Sequence, residues 1–376
     1  MTVTFFSNFL NHHQVHLADE MYNSLGANYR FVAIEELPSE FKNNGYPDYS
    51  DRAYLLKATT PENRAIAMKL AEESDVVIIG SAPEMYIKKR LKQNKLTFRY
   101  NERWFKENYR KLLFPHAWRN YYRRHIRYRN KNLYMLCASA FTASDVAKVF
   151  AYPNKCYKWG YFTQVSQFDF DKVYAQKQDS TLHLMWCARF IDWKHPEMVV
   201  QLAKQLKESN YHIVIDMFGN GEMLEYTQQL ARDLEVDDII RFRGSIPNGQ
   251  ILEEMRKHDI FLFTSDRNEG WGAVLNEAMS NGCVAVASDE IGSAPFLIKH
   301  RENGLLFKSK SLDSLYESVK YLIDNPQERH RMSKNAYETM LNIWSPKNAA
   351  TRVLQLFKGL LDGEPVEFSD GPCSKA

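Results

Sequence analysis

With 376 residues, 44% of them hydrophobic, the chain is long enough to bury two ordinary cores. Its five cysteines, Cys137, Cys156, Cys187, Cys283 and Cys373, are widely spaced and form no C-x-x-C pair, which argues against a zinc site or a disulfide framework and suits a reducing cytoplasm. No stretch reaches the roughly 18 uninterrupted apolar residues of a membrane span, and the first residues lack a basic secretory region, so a cytoplasmic location is expected.

Residues 2–6 read as a first strand and 14–25 as a helix closed by Gly26. A second strand is expected over 30–34. The helical run 61–74 leads into a buried strand, 75–80, and further strands at 133–138 and 155–159 flank a helix at 139–149. Such alternation argues a parallel sheet covered on both faces. The first strand ends in a polar loop, Ser7 to Gln14, where His12 and His13 are binding candidates: imidazole can contact hydroxyls or act as a base near neutral pH. Ser81 stands at the corresponding place after strand 75–80.

The net charge of +3 hides an uneven distribution. Residues 88–131 carry 16 Lys and Arg against two acids, Glu102 and Glu107, with aromatic residues interleaved from Phe98 to Tyr128. That segment has three readings: a solvated face, a nucleic-acid surface, or a patch for an anionic membrane surface with a helix over 114–129 lying in the interface. The membrane reading is preferred, and nucleic acid is not expected as a partner.

Residues 164–180 are polar and read as an interdomain linker. The alternation then restarts: strand 182–187, helix 196–207, strand 212–217, helix 222–234, and strands 239–243 and 259–264. Helices are expected over 312–325, 326–341 and 347–361, followed by a frayed tail, 362–376. The expected fold is α/β, two doubly wound Rossmann-like domains facing each other across a cleft: 1–163 with a crossover helix in 347–376, and 181–346.

The loop after strand 259–264 holds the most informative pattern, Glu269, Gly270, Trp271 and Gly272 running into Glu277. The glycines permit close backbone approach, and a helix over 272–279 would turn free N–H groups toward a phosphate. Glu277 falls about two turns into that helix, on about the side toward which Glu269 looks. Asp169-Phe170-Asp171 imitates a D-x-D metal motif, but it lies in a polar loop rather than after a buried strand, so no metal is expected there.

This pattern resembles the signature of the retaining, nucleotide-sugar-dependent glycosyltransferases of family 4, which carry a glycosyl transferases group 1 domain and the GT-B fold. Four further stretches, WCARFIDWKHP at 186–196, FGNGE at 218–222, RFRGSI at 241–246 and NGLLF at 303–307, resemble elements of that family in the same order. The resemblance implies that Arg189 and Lys194 stabilise the leaving diphosphate and that Glu269 holds the sugar hydroxyls near the reacting carbon. It implies Glu277 at the ribose, Gly219 and Gly221 against the nucleotide, Gly244 and Ile246 at the base, and Gly270, Trp271 and Gly272 around the donor. His12, His13 and Ser81 become acceptor-side candidates. No cofactor or metal is implied. The acceptor would be a glycan, lipid-linked and part of surface polysaccharide synthesis, with the enzyme peripheral on the inner face of the plasma membrane. Two departures stand out. The first strand lacks the family's glycine pair, and Gly80, Ser81 and Ala82 replace the histidine that often follows strand 75–80. Two alternatives stay open: a nucleotide-sugar epimerase of GT-B architecture, and a nucleotide-binding protein whose basic face takes nucleic acid.

Overall fold

The computed structural model describes residues 1–38, 47–177, 181–364 and 366–376. The chain divides into two compact units, Met1–Thr163 with Trp344–Ala376, and Gln164–Ile343.

The first unit is built on a parallel sheet of β1 (Val3–Ser7), β2 (Tyr29–Ala33), β3 (Leu55–Lys57), β4 (Val76–Ile79), β5 (Thr97–Asn101), β6 (Leu133–Cys137) and β7 (Cys156–Lys158). Among the described residues the order is β3-β2-β1-β4-β5-β6-β7. Val3 pairs with Tyr29 on one side and Val76 on the other, so the winding reverses at β1 and opens a crevice beyond the carboxyl ends of β1 and β4. Every residue of β1 and β4 is buried, as continuous apolar strands covered on both faces should be. Helix Pro346–Asp362 starts at Ser345, whose Oγ accepts from the Asn348 N–H at 3.3 Å, and packs on helix Val15–Leu25.

The tail expected to fray does not. The Lys158 N–H donates to the Ser374 carbonyl at 2.8 Å, the Cys373 N–H returns a bond to the Lys158 carbonyl at 2.8 Å, and Lys375 faces Tyr157 antiparallel. Its small and polar composition concealed this because the partner, β7, is more than 200 residues away in sequence.

The second unit repeats the plan with β8 (Leu182–Cys187), β9 (Ile213–Phe218), β10 (Ile240–Gly244), β11 (Ile260–Phe263), β12 (Val284–Ser288) and β13 (Leu305–Phe307), all parallel, in the order β10-β9-β8-β11-β12-β13. The reversal falls between β8 and β11. Those two strands therefore aim their following loops, 188–195 and 264–273, at one crevice.

Residues 164–177 are not a free connector. Asp169 caps helix Phe170–Ala175 by accepting from the Lys172 N–H at 3.1 Å, and Phe170 and Tyr174 pack with Tyr337 in the second unit. The Lys177 ammonium is buried and donates to the carbonyls of His258 at 2.6 Å and Gly282 at 2.7 Å. Alternating polar residues masked two buried aromatics on one helical face; the last three positions of the expected linker, 178–180, lie outside the described residues.

Candidate functional site

In the second unit the loops after β8 and β11 meet through a charged pair. Lys194 and Glu269, each about nine-tenths buried, form an ion pair between side chains. The Lys194 ammonium also lies 4.4 Å from the Trp193 ring centroid and 5.6 Å from that of Phe263. The Lys194 carbonyl accepts from Thr264 Oγ1 at 2.6 Å, and Thr264 Oγ1 accepts in turn from Trp186 Nε1 at 2.9 Å. The end of β11 thus holds the lysine turn in place. Arg189 is exposed at the head of the same loop, and its side chain makes no bond to any described residue.

Glu277 sits in helix Val274–Ser280, which begins two residues later than the sequence suggests. At seven residues it has little dipole to offer, so the glycines ahead of it act through the turn they allow. Gly272 has φ +83°, and a Cβ there would lie 2.6 Å from the Phe263 ring. Glu277 is buried and accepts from Asn248 Nδ2 at 3.1 Å; burial pushes its carboxyl up to about 7. Asn248 was missed in the sequence, since only the fold brings the start of helix Asn248–Lys257 to Glu277. Burial raises the Cys187 thiol to about 12, with Glu277 adding to the shift and Lys194 opposing it, so both groups surround the end of β8.

The two glycines after β9 are required by backbone contact. At Gly219, φ is +130° and a Cβ would lie 1.9 Å from the Ala188 carbonyl oxygen; at Gly221, φ is +152° and the nearest atom, the Phe190 carbonyl oxygen, is at 2.3 Å. The Gly219 N–H donates to the Gly244 carbonyl at 2.8 Å, joining this turn to the loop that continues through Ile246. Trp271 differs from expectation. Its side chain is fully buried and donates from Nε1 to Asn276 at 2.9 Å, so it belongs to the core and only its backbone can face a ligand. Gly270 beside it is also buried.

The first unit has its own crevice, a cavity of about 380 Å³ at the carboxyl ends of β1, β4 and β5. His13 and Ser81 line it together with Asn8, Asn11 and Glu102; His12 is not among the lining residues. His13 stacks on Tyr161 with ring centroids 5.3 Å apart, and its Nδ1 is buried with no partner among the described residues. Burial, then the neighbouring histidines, depress both imidazoles, His12 to about 4 and His13 well below the ordinary value. Glu102, unnoticed in the sequence except as a charge, accepts from Tyr161 Oη at 2.7 Å and from the Lys106 ammonium at 2.8 Å.

The basic segment proves to be of two kinds. Arg90 is fully buried and donates to the carbonyls of Ala71, Ser74, Asp75 and Leu96 at 2.6–3.1 Å, while Arg99 grips Glu84 with two bonds of 2.6 and 2.8 Å. These cations build the core. Helix Pro115–Arg124 instead has no buried residue: Trp118 and Tyr121 lean on the core and Arg119, Tyr122 and Arg123 share the outer face. Leu113 is 78% exposed, Tyr122 57% and Phe114 51%. The helix stops short of the expected 129 because His125 leaves helical geometry to place Nδ1 2.6 Å from Tyr152 Oη.

Among the described residues no helix is long and apolar enough to cross a membrane, and no three His, Cys, Asp or Glu are grouped to hold a metal ion. Asp169 is a helix cap, and Asp171 pairs with Lys334 at 2.9 Å.

Residues 168–339, nearly all of the second unit, match the family model described as Glycosyl transferases group 1. An uncharacterized glycosyltransferase of Methanocaldococcus jannaschii is 26% identical over 196 residues, 51% of this chain and 49% of that protein. The D-inositol 3-phosphate glycosyltransferase of Corynebacterium glutamicum is 30% identical over 185 residues, covering 48% and 44% of the two chains. The chain thus spans about half the length of the curated relatives it matches. Among solved structures, Anabaena HepE in complex with UDP aligns with a TM-score of 0.68 at 13% identity, covering 96% of this chain and 100% of that one. The likeness shows the fold, the two-domain α/β architecture expected for GT-B glycosyltransferases.

Proposed function

We propose that this protein is a metal-independent, retaining glycosyltransferase that moves a sugar from a nucleoside diphosphate sugar of the UDP or GDP type onto a glycan acceptor. The observation that carries the reading is the buried Lys194–Glu269 pair, set with Glu277 around the end of β8 inside the region that matches the group 1 domain. As the glycosidic bond breaks, charge builds on the departing diphosphate; Lys194 and the unengaged Arg189 offer cations to it. Glu269 takes sugar hydroxyls and Glu277 the ribose, where hydroxyl donors would compensate a carboxylate that burial disfavours. Gly219 and Gly221 give the nucleotide bare backbone, the strand end at Gly244 and Ile246 lines the base, and Gly270 to Gly272 close the donor side. The UDP in the HepE structure and the GDP-mannose dependence named for a Mycolicibacterium smegmatis relative support a diphosphate donor. Retention rests on the family resemblance. The epimerase and nucleic-acid alternatives gain no support from these relatives.

The uncharged part of the first unit's lining, His13, Ser81, Asn8 and Asn11, suits hydroxyls of a sugar acceptor, with Glu102, Arg103 and Lys106 as charged neighbours and Glu102 as an added acceptor of hydrogen bonds. A lipid-linked acceptor fits the outer face of helix Pro115–Arg124, where Leu113, Phe114 and Tyr122 would enter an anionic cytoplasmic leaflet between Lys111, Arg119 and Arg123. On this reading the enzyme works at the inner surface of the plasma membrane, in surface polysaccharide synthesis.

Release of nucleoside diphosphate from a panel of sugar donors, with cell-envelope lipid extract as acceptor, tests the activity. Lys194→Ala should cut turnover by about 100-fold or more; full activity in that variant would show the pocket to be misplaced. Co-sedimentation with vesicles containing anionic lipid tests the surface. Binding should weaken with salt and on Leu113→Ser/Phe114→Ser substitution, and equal binding to neutral vesicles would refute it.

A further inference from the structure

Between Lys194 and helix Pro196–Glu208 stands a single residue, His195, whose backbone is left-handed with φ +50° and ψ +55°. Few residues besides glycine and asparagine adopt that conformation. Here the ring is held at both ends. Nδ1 lies 2.9 Å from Glu197 Oε1 and Nε2 lies 3.3 Å from Asp266 Oδ2. A neutral imidazole has one N–H and can donate to only one of these carboxylates; the imidazolium satisfies both.

Asp266 is itself a junction. Its carboxylate, 5% exposed, takes the Lys310 ammonium at 2.9 Å as well as the imidazole. Its N–H donates to the Trp193 carbonyl at 3.0 Å, and its carbonyl accepts from the Glu269 N–H at 3.0 Å. Asp266 therefore touches both the turn that carries Lys194 and the residue that pairs with it.

We propose that His195 is a positioning residue for donor binding: its ring, bridging Glu197 and Asp266, locks the Lys194 turn against the Glu269 loop so that the ammonium is presented to the diphosphate. The inference rests on the donor-site reading above. Burial pushes the imidazole down, but the bonds to Glu197 and Asp266 outweigh it and leave its pKa raised above 6.5. The charged groups acting on the ring are Glu197 from its own helix and Asp266 from the loop after β11, with Lys310 joined through Asp266. The Asp266 carboxyl is held below its ordinary value and stays ionised, so the imidazole is the member of the bridge that titrates. As pH rises through the raised pKa, one ring nitrogen becomes a lone pair facing a carboxylate, and the bridge opens.

Calorimetric titration of the full chain with UDP, GDP and ADP between pH 7 and 9.5 tests this. For the tightest of the three, affinity should fall by roughly tenfold across that range, the worth of one charge-assisted hydrogen bond. His195→Gly suits the backbone angle but removes the bridge, and should bind weakly with a flat pH profile. Glu197→Gln keeps the ring and takes away one charge, which should move the fall in affinity to lower pH. If His195→Gly bound as tightly as the wild type, or if the three profiles coincided, the positioning role would be overturned while the donor site stood. If none of the three diphosphates bound at any pH, the donor-site reading would fail and the positioning role with it.

Discussion

Both units place a crevice beyond the carboxyl ends of a doubly wound sheet, yet they furnish it in opposite ways. The second unit fills the crevice with charge and fixes it: Lys194 against Glu269, Asp266 between His195 and Lys310, glycines where no side chain fits. The first unit lines its crevice with amides, hydroxyls and the neutral His13 imidazole beside Glu102, Arg103 and Lys106, and His13 Nδ1 is buried with no partner among the described residues. A diphosphate requires compensating charge held at fixed distance; a sugar requires directional donors and acceptors with little net charge. On the reading proposed above, one architecture would serve two kinds of recognition, distinguished by loops.

The contrast breaks most visibly at the glycines. Gly219→Ala would drive a methyl into the Ala188 carbonyl and should cost about 3 kcal/mol or more, seen as a large fall in Tm. Gly244→Ala has φ +67° but meets open space, and should cost only about 1 kcal/mol. Equal losses at the two positions would mean that conformation, rather than contact, shapes the nucleotide turn.

Charge burial gives a subtler test. With its carboxyl raised from 4.5 to about 7, Glu277 withdraws stability as pH climbs through that window and withdraws its full share above it. Glu277→Gln should therefore leave the unliganded stability nearly unchanged at pH 4.5 and raise it at pH 8 by on the order of 3 kcal/mol, seen as a higher Tm at pH 8 only, while nucleotide affinity drops. A pH-independent change in Tm would remove the argument. His12 in the first unit should give a smaller effect than Glu277 despite a shift of similar size, because its ring is only partly buried and solvent screens it. His12, depressed to about 4, binds its proton more weakly folded than unfolded, so stability should decline as pH falls below 6.5; His12→Asn should flatten that decline in thermal melts.

How far the sequence disclosed this arrangement differs between the units for the same reason. In the second, the clustering of Lys194, Glu269 and Glu277 was legible because these residues are charged and lie in short motifs beside glycines at strand ends. Asn248 and the Asp266 junction were not, since Asn248 meets Glu277 across 29 residues and Asp266 meets His195 across 71, the latter through the β8–β11 pairing. In the first unit the histidines drew attention, while Glu102, Asn8 and Asn11 did not: amides in a loop and one acid within a basic segment look ordinary until a cavity selects among them. Composition misled where polar residues surrounded the aromatics, as in 164–177, and where charge was counted without direction, as at Arg90 and Arg99.

The return of the chain to β7 has a consequence for how the protein behaves in concentrated solution. β7 is the last strand of its sheet, and an uncovered last strand exposes a row of N–H and C=O groups ready to pair with any other extended chain. Cys373 to Ala376 occupy those groups on Cys156 and Lys158, and Arg352 secures the approach by donating to the Asp370 carbonyl. Four small or polar residues, with no place in either crevice, thereby act as a selvedge that keeps one molecule from being stitched to the next.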